Sequence, residues 1–181
     1  MDIITIAYKK RSGEIIAYHI GEEKDFIQLL ADDKELLFEH SLKDTSSVDT
    51  IIKEVDLQTF SPSEYYIDKK EITPLCSIEL STNALDDKNP NGIPEIKGDG
   101  TSQCEITASV LKTDGSVNKH FSGQITINTA RGRLSARNGI LQAKEGMAKV
   151  TLTSVAETAP PFVIKAEAQG CKPGILKMEF Y

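Results

Sequence analysis

The chain has 181 residues, 39 % of them hydrophobic and 27 % charged, with a formal net charge of −6; this describes one large globular domain or two small ones. No apolar run approaches the roughly 20 residues a membrane-crossing helix needs, so membrane insertion is not expected. Residues 1–74 hold 9 Lys plus Arg against 16 Asp plus Glu (−7), whereas residues 75–181 hold 12 against 11 (+1), and an acidic first half argues against nucleic acid as a partner.

In chain order, "IITIAY" and "EIIAYHI" are β-branched and aromatic runs separated by "KKRSG", a combination that predicts a hairpin. Phe26, Ile27, Leu29 and Leu30 follow the charged start "GEEKD" at spacings that suit one face of a short helix. After "ELLFEH" and a polar stretch come the strand-like "TIIKEVDLQTF" and then "EYYIDKKEI", which reads as a short strand and turn. Residues 1–74 therefore predict a small acidic α+β domain, close to the lower size limit for an independent core.

From Pro74 onward helical periodicity disappears, and short alternating runs recur between Gly, Asn and Pro: "CSIELS", "CEITASVL", "GQITINT", "GILQA", "MAKVTLTSV", "FVIKAEA" and "ILKMEFY". About seven strands in residues 75–181 predict an Ig-like β-sandwich, so the expected fold is mostly β, with the sandwich preceded by the small α+β domain. Ile106, Ala108 and Val110, like Ala148, Val150 and Leu152, should face inward. The chain has no Trp, so the core must be largely aliphatic.

The stretches "GDGTSQCEITASVLKTDG", "GQITINTARGRLS" and "EGMAKVTLTS" resemble the bacterial Ig-like domains of the invasin and intimin type. The matching positions are Asp99, Gly100, Ser102, Ile106, Thr107, Ala108, Val110, Gly115, Gly132, Leu134, Gly146, Ala148, Val150, Leu152 and Ser154. Departures fall in loops: Lys112 stands where an Asp is usual, the acid having moved to Asp114; "SVNKHF" lengthens the next connection; and "TAPP" replaces a glycine. The opening "YKKRSGEII", the short helical middle and the closing "YYID" with "EITP" resemble, in layout, small N-terminal modules of virion accessory and tail proteins of tailed bacteriophages.

Several side-chain groups resemble parts of known sites, and none yields a catalytic, cofactor-binding or metal residue. "DDKNPNG" places Asp87, Asn89 and Asn91 at alternate positions before Gly92, the first half of a calcium-loop pattern. The twelfth position, which should be a bidentate Glu, is Gly98, and Pro90 and Pro94 restrict the backbone. A loop at one end of the sandwich is the preferred reading; the proximity of Glu95 and Asp99 leaves a calcium reading open. Cys76, Cys104 and Cys171 are odd in number and lack CxxC spacing, so reduced, unpaired thiols are expected. His19, His40 and His120 fall in different elements without metal-ligand spacing. Carboxylates in "EEKD" and "ADDKE" read as a solvated face, and "GDGTSQ" lacks the Gly-Lys of a phosphate loop. Arg131, Arg133 and Arg137 suggest either a charged strand edge that resists aggregation or a contact with an acidic surface or glycan.

These features predict a non-enzymatic structural or binding protein without cofactors. The resemblances imply either a phage or prophage virion protein (head decoration, neck, tail or fibre-associated), partnered by other virion proteins, or a bacterial surface adhesion module that meets host protein or glycan. The start of the chain carries Asp2 where a secretory signal would carry Lys or Arg, which favours the virion, made in the host cytoplasm. No heptad repeat appears, so any oligomer would form through surface contacts or virion symmetry.

Overall fold

A computed structural model describes residues 1–23 and 25–181. The chain divides into two compact units, Met1–Leu75 and Cys76–Tyr181.

The first unit is built on β1 (Asp2–Lys9), β2 (Ile15–Ile20) and β3 (Val48–Val55), with β1 in the centre of an antiparallel sheet. Two short helices, α1 (Phe26–Asp32) and α2 (Lys34–Glu39), connect β2 to β3, and a second hairpin follows from β4 (Tyr65–Asp68) and β5 (Glu71–Pro74). Because side chains alternate along a strand, β1 serves two cores at once. Ile4, Ile6 and Tyr8 pack with Ile51, Val55 and Ile67, whereas Ala7 packs with Ile16, Phe26, Leu30 and Val48. The expected β1–β2 hairpin is present, and its turn is closed by Gly13, whose N–H donates to Lys9 O at 2.8 Å. Gly13 has φ +74, and an added Cβ would lie 2.0 Å from Ile67 O, so only glycine lets the turn press against β4. The run "TIIKEVDLQTF" is strand only to Val55; Asp56 then accepts N–H groups from Thr59 and Phe60 and ends it in a turn.

The second unit is an Ig-like sandwich of two five-stranded sheets. In chain order its strands are β6 (Cys76–Thr82), β7 (Glu95–Ile96), β8 (Gln103–Leu111), β9 (Gln124–Thr129) and β10 (Arg133–Leu134). They continue as β11 (Ile140–Gln142), β12 (Met147–Thr153), β13 (Ala159–Glu167), β14 (Cys171–Lys172) and β15 (Gly174–Phe180). One sheet runs β10-β12-β8-β6-β14 and the other β11-β9-β13-β15-β7. The seven expected strands are the seven longer ones; β7, β10 and β14 add two-residue pairings at sheet edges, too short to leave an alternating pattern. The inward residues are as the alternation requires: Ile106, Ala108, Val110 and Leu152 have no exposure, and Ala148 and Val150 are buried. They join Ile125, Ile127, Ile164 and Met178 in one core shared by both sheets. Its aromatic part is Phe162 against Phe180, with ring centroids 4.8 Å apart and tilted at 60°. The pairing of β13 with β15 slips between Ala159 and Phe162, where Pro160 and Pro161 supply no N–H for the ladder.

Candidate functional site

The residues singled out in the calcium-like loop meet the C-terminal strand at one end of the sandwich. β7 runs parallel to β15 with Glu95 opposite Glu179, so the two side chains lie on the same face. Both glutamates are buried, at 4 % and 6 % exposure. The loop between β6 and β7 folds over them. Glu95 N–H donates to Leu85 O at 2.9 Å, and Glu95 Oε1 accepts the backbone N–H groups of Lys88 and Asn89. The Asn89 side-chain amide donates to Glu179 Oε1 at 3.2 Å, and Asn91 Nδ2 donates to both oxygens of Glu179 at 3.2 and 3.3 Å. Glu95 Oε2, by contrast, is buried without a hydrogen-bond partner. Beside this cluster is an open cavity of about 280 Å³ lined by Asn89, Thr158, Pro160, Glu179, Phe180 and Tyr181.

This arrangement changes the roles that spacing alone suggests. Asp86 braces the loop, accepting Asn91 N–H at 3.2 Å and Gly92 N–H at 2.6 Å, and Gly92 turns with φ +83. Asp87 is exposed. Glu95 lies in the cluster, and Asp99 serves a different device. Spacing could not reveal Glu179, which is distant in the chain; its only signal is an acid inside "KMEFY", where Met178 and Phe180 are both buried.

Asp99 closes the turn that leads into β8. Its carboxylate accepts the N–H groups of Ser102 at 2.7 Å and Thr101 at 2.9 Å, together with both their hydroxyls. The Ser102 and then the Thr101 backbone hydrogen bonds hold its pKa far below the usual carboxylate range. Buried Ser154 joins this turn to the end of β12: its Oγ accepts Gly100 N–H at 3.2 Å and its N–H donates to Ser102 O at 2.9 Å. Asp99, Gly100, Ser102 and Ser154, scattered in the sequence pattern, thus form one hydrogen-bonded lock.

The three cysteines are free thiols. Cys104 is buried in β8, while Cys171 lies directly opposite Cys76 where β14 pairs with β6. Desolvation, and then the neighbouring Cys76, push the Cys171 thiol up to about 12, so it is not an activated nucleophile. His40 Nδ1 is 3.1 Å from Glu14, and His19 packs near Phe26; neither shares a site with the other. Among the described residues no group of three or more His, Cys, Asp and Glu is placed to hold a metal ion. Arg133 lies on the edge strand β10, Arg137 in the short 3₁₀ turn before β11, and Arg131 pairs with Glu157 at 2.5 Å. Arg133 thus stands on a sheet edge, and Arg131 is engaged within the unit.

No family model matches the chain, and no curated protein matches it. Among solved structures it is similar to a glycosyl hydrolase family 2 member from Bacteroides cellulosilyticus, at 12 % identity and TM-score 0.48, over 98 % of this chain and 21 % of that one. It is also similar to the D0-D1 domain of intimin, at 20 % identity and TM-score 0.41, over 76 % of this chain and 70 % of that one. The adhesin InvE of Yersinia pseudotuberculosis matches at 13 % identity and TM-score 0.41, over 57 % of this chain and 27 % of that one. The chain spans about a fifth of the length of the hydrolase. These are likenesses of strand layout and carry no activity over to this chain.

Proposed function

We propose that the protein is a non-enzymatic structural component of a phage or prophage particle, a decoration, neck or tail-associated protein whose N-terminal unit docks on other virion proteins and whose Ig-like sandwich is displayed. The observation that supports this most is the contrast between the two units. The first carries a charge of −7 in residues 1–74 against +1 in residues 75–181, so the apolar side chains it leaves in water, Phe38 on α2 at 85 % exposure, Ile20 at 62 % and Leu29 at 55 %, sit in an acidic surface, whereas those of the sandwich, such as Leu85 and Ile175, sit in a near-neutral one. Uncovered apolar groups set in an acidic surface suit a partner surface that is apolar at its centre and basic at its rim. The sandwich, near neutral and built on one continuous core, suits rigid presentation, and many copies in a symmetric particle would add weak contacts through avidity. Mass spectrometry and immunogold labelling of particles purified from a host carrying the gene test this reading. Stoichiometric copies in the particle are expected; absence from purified particles contradicts it.

A second reading, a surface adhesion module that binds host protein or glycan, is favoured by the Asp99–Ser102–Ser154 lock, because its residues carry the invasin and intimin likeness. In that case the protein is found on intact cells, where external protease removes it, and not in particles.

A further inference from the structure

We propose that Glu95 and Glu179, closed over by the 86–92 loop, form a binding site for a divalent cation of the calcium class. Two glutamates stand opposite each other across a parallel bridge, and both are buried. Burying one ionised carboxylate is costly, and burying two of like sign side by side is costlier still unless a positive charge or a proton joins them. The described surroundings supply neutral donors only: backbone N–H groups to Glu95 and the Asn89 and Asn91 amides to Glu179. They satisfy three of the four carboxylate oxygens and leave Glu95 Oε2 buried without a partner.

A hard cation resolves both the charge and the orphan oxygen. Calcium takes about six to eight oxygens from carboxylates, amide and main-chain carbonyls and water, so two carboxylates and a loop suffice once water completes the shell. The ligating atoms that the pair offers are carboxylate oxygens, with no thiol or imidazole in the cluster, which selects against zinc and copper. The open cavity beside Asn89 and Glu179 lies on the Glu179 side of the pair. The cluster also ties the loop between β6 and β7 to the last strand, so a bound ion would fasten the C-terminal edge of the second sheet.

The test uses the full chain at pH 7.5 and constant ionic strength. Thermal unfolding is followed in chelator, in CaCl₂ and in MgCl₂, and terbium luminescence excited through tyrosine serves as a second probe, since Tyr181 lines the cavity. Calcium is expected to raise the sandwich transition by about 10–15 °C near a hundredfold excess over Kd. Calcium should also displace terbium. Glu95→Gln and Glu179→Gln, which preserve shape, should each abolish the shift and the luminescence, whereas Asp87→Ala, at the exposed position, should leave both intact. Two results overturn the assignment. One is no shift and no luminescence up to about 10 mM calcium, together with Gln variants more stable than the parent in chelator, which means the pair holds a proton. The other is a calcium shift lost in Asp87→Ala but kept in both Gln variants, which places the ion on the outer loop.

Discussion

The two units solve the problem of burial in different ways. In Met1–Leu75 a single central strand divides the apolar residues into two small cores, one under the β4–β5 hairpin and one under the helices. In Cys76–Tyr181 the inward faces of two five-stranded sheets meet in one continuous core. A small split core has little surplus stability, because less of its surface is removed from water than in a larger domain. The difference teaches that the sandwich should be the more robust partner and the N-terminal unit the more easily opened.

The largest effects come from the cores themselves. Ile127→Ala and Ile6→Ala each remove a fully buried side chain and should cost about 2–5 kcal/mol. The comparison predicts different outcomes: by denaturant unfolding, Ile127→Ala lowers the midpoint of the sandwich and leaves it folded, whereas Ile6→Ala abolishes the N-terminal transition. Equal tolerance of both changes would remove the contrast.

A smaller matched pair lies at two glycines. Gly13 in the first unit and Gly139 in the second have φ +74 and +67, and in each an added Cβ would sit 2.0 Å from a carbonyl oxygen, Ile67 O and Ile127 O respectively. Replacement by Ala should cost at least about 1–2 kcal/mol from the left-handed backbone alone, with the clash in addition. Thermal melts should show Gly139→Ala as a reduced Tm and Gly13→Ala as a loss of the first transition.

Acid sensitivity sharpens the contrast further. Burial alone would raise the pKa of Glu14, but hydrogen bonds from Lys9 and His40 outweigh it and lower it below the ordinary 4.5; the Ser102 and Thr101 backbone groups lower that of Asp99 further below its ordinary 3.8. A carboxylate whose folded pKa is depressed stabilises the fold above the unfolded value, and that contribution is lost as pH falls through the folded value. The Glu14 contribution should therefore begin to fade below about pH 4.5, and that of Asp99 only below about pH 3.8. Circular dichroism on acid titration should show the N-terminal unit lost first. Glu14→Gln should flatten its pH dependence, and Asp99→Asn should flatten that of the sandwich.

Much of this architecture is legible in the sequence, and the reasons are local. Alternation in "CEITASVL" and "MAKVTLTS" reports a half-buried strand residue by residue, and the β1–β2 hairpin follows from two β-branched runs around a Ser-Gly turn. The two-residue strands β7, β10 and β14 are too short to have a period, and they exist because a neighbouring strand offers an edge. The candidate site was half legible. Asn89 and Asn91 stand out by spacing, but the acids they serve are Glu95 and Glu179, brought together by a parallel bridge across the length of the unit. Asp87, the first ligand of the pattern, is exposed, and its neighbour Asp86 takes the turn-bracing role, because a carboxylate that caps backbone N–H groups is fixed by local loop geometry and not by metal-loop spacing.

The division into two compact units predicts that the sandwich folds without the first unit. Expressing residues 76–181 alone and following thermal unfolding by near-ultraviolet circular dichroism tests it most directly. The account predicts a single cooperative transition with a Tm within a few degrees of the sandwich transition in the full chain. A fragment that melts without cooperativity, or only at a much lower temperature, would contradict it.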